Sequence, residues 1–244
     1  MAFFNATFWW VNTAMAVFGG IPLFLSIPVL QLLVAWCAMH WALAGAVQAR
    51  LQSSLGLPSW LAVPTAWAAC ELMRNYFMSG YPWANLGYAT TRNLYFSQVA
   101  ALGGVYLIAF CLVLVNAGLF EALAASRDRK LPRPVGAIAA AAAALVLGHG
   151  YGLYRVSRLD GLIAQADKVK VGLVQGNIDQ KIKSLHDQYQ SFILKQYVPL
   201  TDQAEDEGAE LIIWPEAAFP GYFPKDRPPG TVLRMPGFDR PAYK

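Results

Sequence analysis

Charge is what this sequence has least of, and the shortage is uneven. Only 14% of its 244 residues are Asp, Glu, Lys or Arg, too few for an ordinary soluble domain. Before Glu121 they are Arg50, Glu71, Arg74 and Arg92 alone. A solvated surface cannot be built from so few, so the first part of the chain is not a soluble globule. Cysteine is scarce too. Cys37, Cys70 and Cys111 stand far apart inside apolar runs, with no Cys-x-x-Cys pair and no histidine cluster beside them. That excludes a disulfide framework and a sulfur-based metal site. It leaves them as small packing residues, since a nucleophilic thiol needs a polar activating neighbour. His40, His149 and His186 are scattered and read as packed or solvated side chains, so no metal or cofactor is expected. A basic segment ahead of the apolar N-terminus is also missing, which argues against a signal peptide. The net charge of +4 forms no stripe interleaved with exposed aromatics, and nucleic acid is excluded as a partner.

What is present is hydrophobic sequence, 56% of the chain. Residues 1–20 are rich in Phe and Trp and end at Gly19-Gly20, as an interfacial segment or the tail of a span would. Four further runs approach or exceed the roughly 20 residues that cross a bilayer: 22–47, 59–79, 95–123 and 135–154. These define a membrane domain over residues 1–154. Ala139 to Ala144 offer a small-residue surface for close helix packing. Arg50 lies in the first connection and Arg127, Arg129, Lys130 and Arg133 in the third, so both are expected in the cytoplasm by the positive-inside bias. The loop over 80–94 and everything after Tyr154 then face outward. This topology also puts the residues before Pro22 outside, so an odd number of spans is expected upstream.

Glu71 and Arg74 fall within the second run, three residues apart on one helix face, where they can pair. Charges in lipid are expensive and face a bundle interior or a polar cavity. The pair is read either as an internal ion pair or as a contact for a phospholipid head group. Gly80-Tyr81-Pro82-Trp83 marks the exit of that run, as an interfacial anchor after a chain break.

From Leu159 the pattern changes. Lys168 to Gln175 crowds its apolar residues like a strand buried on both faces, and Gly176-Asn177 turn the chain. Helical spacing of Leu185, Tyr189, Phe192, Ile193 and Leu200 follows over about 180–207, with Pro199 expected to kink or split it. Leu211 to Trp214 is a second strand, stopped by Pro215. This β-α-β unit puts Gln175–Asn177 and Glu216 at one sheet edge, where α/β sites are built. Glu216, between Trp214 and Phe219, is a surface carboxylate or a partly desolvated general base.

Trp214-Pro-Glu-Ala-Ala218, preceded by Val171-Gly-Leu-Val-Gln-Gly-Asn177, resembles the opening of the nitrilase, or carbon–nitrogen hydrolase, fold. Behind the spans and the Ser79-Gly-Tyr-Pro-Trp-Ala-Asn-Leu-Gly-Tyr88 loop, the order resembles the apolipoprotein N-acyltransferase family from about Trp10 to Pro220. The resemblance implies an α-helical multi-span membrane bundle followed by the start of an α/β nitrilase-like (α-β-β-α sandwich) domain over 166–244. It implies a phospholipid acyl donor, an apolipoprotein acceptor and a place in the bacterial inner membrane, with the nitrilase-like part on the periplasmic face. In that family a Glu is the general base, a Lys steadies the oxyanion and a Cys is the nucleophile. Glu216 matches the Glu, and Gly80 and Trp83 match a loop beside the active-site mouth. The resemblance puts the Lys and Cys after Lys244. Lys225 and Lys244 lie too near Glu216, in a proline-rich segment without the pattern, to take the Lys role. Asp179 and Ser184 also depart from residues frequent in the family, Pro and Trp. The chain is therefore expected to lack N-terminal spans and most of the nitrilase-like domain, and to be inactive alone. The other readings are a membrane-tethered nitrilase or amidase, and a non-catalytic membrane fragment.

Overall fold

Glycines and prolines set the helix boundaries in the computed structural model. It describes residues 1–128, 131–179 and 186–215, apart from the side chains of residues 79 and 186–191. Helix α1 (Ala2–Thr13) runs into a π-helical turn, Ala14–Phe18, before Gly19-Gly20 and Pro22 break the chain. Helix α2 (Leu23–Leu55) follows Pro22 and ends at Gly56. Pro58 then opens helix α3 (Ser59–Tyr76). The 3-10 turns Phe77–Ser79 and Leu86–Thr90 carry the chain to a short helix α4 (Leu94–Ser97). Helices α5 (Ala100–Arg127) and α6 (Val135–Gln165) complete the first of two compact units, Met1–Gln165.

Among the described residues three helices are long and apolar enough to cross a membrane: α2, α5 and α6, with mean hydropathies of 1.8, 2.2 and 1.5. The fourth span expected over 59–79 is not among them. Its helix stops at Tyr76 after 18 residues, about 27 Å at 1.5 Å per residue. Glu71, Arg74, Asn75 and Tyr76, crowded near its end, lower its hydropathy. Helix α3 instead packs against both α2 and α5, and α2 and α6 run on past the ends expected for them, to Leu55 and Gln165.

Packing of the bundle follows its small residues. A Cβ on Gly118 of α5 would sit 2.9 Å from both the Ala137 carbonyl and the Ala141 methyl of α6, so these helices approach closely. At Gly152 a Cβ would fall 1.9 Å from the Tyr95 carbonyl, closing the other end of α6 against α4. The buried cluster Phe4, Phe8, Leu30, Val34 and Cys37 joins α1 to α2. Two polar pairs support it, Ser26 Oγ donating to Asn12 Oδ1 at 2.6 Å and Gln31 Nε2 donating to Asn5 Oδ1 at 2.6 Å. The start of α3 has no cap of its own. Glu121 of α5 supplies one, accepting from Ser59 Oγ at 2.6 Å and from the Trp60 N–H at 3.1 Å. A carboxylate there satisfies unpaired donors and opposes the positive end of the helix dipole. Cys37 and Cys70 are buried and Cys111 partly so, all as free thiols.

The second unit spans residues 166–244. Its strands β1 (Val171–Leu173) and β2 (Leu211–Ile213) pair in parallel, Gly172 opposite Ile212. Helix α7 (His186–Asp206) lies between them in sequence. It passes through Pro199 without a break, because the missing N–H removes a single ladder bond. The first strand is shorter than its apolar run. It is not buried on both faces either: Val171 and Leu173 are exposed and Gly172 half-buried. The β1–β2 pair alone leaves the strands uncovered on that side among the described residues. Val174, Ile193 and Tyr197 form the buried core, with Trp214 and Ile212 packed against it.

Candidate functional site

Helix α3 ends in a turn that only glycine fits. Gly80 has φ +74°, and a Cβ there would lie 1.9 Å from the Asn75 carbonyl oxygen. The Tyr81 N–H reaches back to the Arg74 carbonyl at 3.0 Å, and the Gly80 N–H to Phe77 at 3.0 Å. Met78 and Ala84, on either side, also take positive φ, 51° and 59°. Each non-glycine residue there costs about 1–3 kcal/mol, so something must hold the turn in this shape.

Two buried charges do so. Glu71 is 3% exposed and Arg74 1%. The ion pair expected between them is not found among the described residues; both side chains turn instead to the loop above α3. Arg74 Nη1 donates to the Trp83 carbonyl at 3.0 Å and Nη2 to Asn85 Oδ1. Glu71 Oε1 accepts from the Leu86 N–H at 2.8 Å. The loop's unpaired main-chain groups offer each charge a better-directed partner than the other side chain three residues away. Arg74 also lies over the Phe4 ring, 5.8 Å from its centroid, which brings α1 into the same assembly. Nearby, Asn75 Nδ2 donates to the Tyr106 hydroxyl at 2.7 Å, tying the end of α3 to α5.

Above this base the aromatic side chains form a ledge. Tyr81 and Trp83 stack with centroids 5.3 Å apart, Phe8 meets Tyr81 edge-on at 5.0 Å, and Trp10 lies 6.2 Å from Trp83. Burial pushes the Tyr81 hydroxyl above its ordinary pKa, so it stays neutral as part of an apolar surface. Trp83 is half exposed, and Trp10 of the same ledge is exposed, as are Trp9, Tyr76, Phe77 and Met78. Rings of this kind suit a membrane–water boundary.

In the second unit the turn after β1 is packed tightly. A Cβ on Gly176 would meet the Tyr197 ring at 2.8 Å, and Asn177 has φ 47°. The Val174 N–H bonds the Ile213 carbonyl at 3.0 Å, extending the pairing to the carboxyl edge of the strands. Trp214 is fixed there, its Nε1 donating to Thr201 Oγ1 at 3.0 Å and its ring 4.9 Å from Tyr197. Glu216, two residues on, lies outside the described residues, as do Ser184, Lys225 and Lys244.

Residues 1–118, which include α3 and its loop, match the family model of the apolipoprotein N-acyltransferase N-terminal domain. Over those residues the chain is similar to the apolipoprotein N-acyltransferases. It is 31% identical over 242 residues to the apolipoprotein N-acyltransferase of Geobacter metallireducens, covering 98% of this chain and 45% of the relative. With that of Vibrio vulnificus it shares 34% over 215 residues, 87% of this chain and 39% of the other. With that of Chromobacterium violaceum it shares 30% over 233 residues, 95% and 42%. The chain thus spans less than half the length of these N-acyltransferases. Its three apolar helices and its likeness to these N-acyltransferases make it a multi-pass membrane protein.

The residues that sequence reasoning passed over are Asn85, Leu86, Tyr81 and Phe4. Asn85 and Leu86 stand inside the quoted loop motif, but as a side-chain amide and a main-chain donor they have no signature without the fold.

Proposed function

We propose that this chain supplies the membrane domain and the opening of the catalytic domain of an N-acyltransferase of lipoprotein maturation. The observation that carries this reading is the loop at the end of α3. It is held by two buried charges at a predicted membrane exit, inside the segment that matches the family. The acyl donor is a phospholipid and the acceptor the N-terminal cysteine amine of an apolipoprotein. Glu216, after β2, is the general base. It takes the proton of a cysteine thiol, and the thiolate attacks the ester carbonyl of the phospholipid. The intermediate's oxyanion is steadied by a lysine, and the lysophospholipid leaves as an alcohol after taking a proton. The acceptor amine then attacks the thioester, forming the amide and restoring the thiol. Neither the lysine nor the cysteine is assigned within these 244 residues. Support for Glu216 comes from its sequence position three residues after β2, the parallel partner of the strand that runs into the Gln175–Asn177 turn.

The test is acyl transfer in membranes. A version of this protein that also carries the family's Lys and Cys is expected to move a labelled acyl chain from phosphatidylethanolamine to a diacylglyceryl-cysteine peptide. Release of ammonia from small amides, without transfer to the peptide, would favour a membrane-tethered amidase.

The same reading sets the orientation. Arg127 and Arg133, which flank the α5–α6 connection, support a cytoplasmic side for it by the positive-inside bias, and with it a second unit on the outer face of the bacterial inner membrane. A reporter fused after Asp167, beyond the end of α6, and fluorescent only in the cytoplasm is expected to stay dark. Bright fusions would reverse the orientation.

A further inference from the structure

Burying Glu71 and Arg74 in an apolar bundle is unfavourable unless each finds strong partners. Their partners are concentrated on one short stretch: the Trp83 carbonyl, the Asn85 amide and the Leu86 N–H. We propose that Glu71 and Arg74 are positioning residues for Trp83, a latch beneath residues 83–86 that fixes where its ring meets the lipid acyl chain. The proposal rests on the acyltransferase reading, which gives the ring its substrate.

Three features point the same way. Strain falls at Met78, before the stretch, and at Ala84, within it, so without a hold the loop would relax to other backbone shapes. Arg74 grips by both terminal nitrogens, one on the carbonyl of Trp83 itself, so the guanidinium sets the position of the residue whose ring stands at the surface. Glu71 uses one oxygen on the Leu86 N–H at the start of the next 3-10 turn, which fixes the far end of the same stretch. A head-group contact would need these groups open to solvent, and at 3% and 1% exposure they are closed off. The latch also has a chemical signature. Arg74 needs a forked donor, which lysine lacks, whereas Glu71 needs only an acceptor oxygen, which glutamine keeps.

The experiment is amide hydrogen exchange on this chain in phospholipid nanodiscs, read at Leu86 and over residues 81–88. Arg74→Lys and Glu71→Met are each expected to speed exchange there at least about tenfold, the order of change when a charge-assisted bond is lost. Glu71→Gln is expected to stay within about threefold of the parent. Exchange within α5 reports whether each variant is folded. Asn85→Ala, which leaves both charges in place, loosens the loop in the same sense and serves if a charge variant fails to insert. In parallel, a photoreactive phenylalanine at position 83 is expected to crosslink labelled phospholipid, with severalfold lower yield in Arg74→Lys. Unchanged loop exchange in folded Arg74→Lys and Asn85→Ala would overturn the latch. So would Glu71→Gln exchanging as fast as Glu71→Met, because the charge rather than the acceptor would then matter. These readouts do not depend on catalysis. Failure of the acyltransferase reading would leave the exchange pattern intact with no acyl chain transferred.

Discussion

Glu216→Gln, made in a version that carries the family's Lys and Cys, is expected to slow thioester formation at least about a hundredfold. General-base catalysis typically contributes about 10²–10⁴-fold. Glutamine keeps the size and much of the hydrogen bonding of glutamate but accepts no proton, so the loss isolates that one role. Insertion and folding are expected to be unchanged, since the substitution keeps the side chain's size and Glu216 follows β2 in sequence rather than belonging to it. The measurement is the rate at which labelled phospholipid loads the enzyme with its acyl chain, followed by mass spectrometry of the nucleophile peptide. A surface carboxylate would leave that rate alone and shift stability by less than about 0.5 kcal/mol. That result would remove Glu216 from the mechanism.

Gly80→Ala is expected to damage the protein by a different route. The added methyl would stand 1.9 Å from the Asn75 carbonyl oxygen, a backbone atom that cannot swing away, at a φ of +74°. Left-handed strain costs roughly 1–2 kcal/mol and overpacking typically about 1–3 kcal/mol more. A loss of about 2–5 kcal/mol is expected in unfolding from nanodiscs, with exposure of the α3 end to protease. Gly150→Ala is the matched control. No atom lies within 4 Å of a Cβ at that position, and it is helical, so its change is expected within about 1 kcal/mol. Equal effects at the two sites would mean that the turn at residue 80 is not the close-packed one described.

Much of this arrangement can be read in the residues, though not its bonding. The apolar runs locate α2, α5 and α6 because hydropathy over 18 or more residues is a strong signal. The run over 59–79 overshoots α3, because it includes the apolar Phe77 and Met78 beyond the helix end. Helical spacing correctly puts those two on one face, and rules for isolated helices then pair them. Such rules hold where solvent satisfies the neighbouring backbone. Inside a bundle the carbonyl of Trp83 and the N–H of Leu86 also need partners, and they draw the charges away. Glu216 could be singled out from Pro215 and the strand before it, a local pattern. Asn85 could not, since its importance comes from where Arg74 ends in space.

Glu121 caps the start of α3 from a position 61 residues later than Trp60, and this bears on how the bundle is made. When α3 leaves the ribosome, its first turn has unsatisfied N–H groups and its last turns carry a carboxylate and a guanidinium. A lone helix of that kind partitions poorly into lipid. The loop that takes up the two charges emerges 9 to 15 residues later, but the cap must wait until α5 has been synthesised. Helix α3 therefore settles into the bilayer only after α5 has been made, although it is translated earlier. Its entry is a joint event with α5, and a stop in synthesis between Tyr76 and Glu121 would leave it at the membrane surface rather than within.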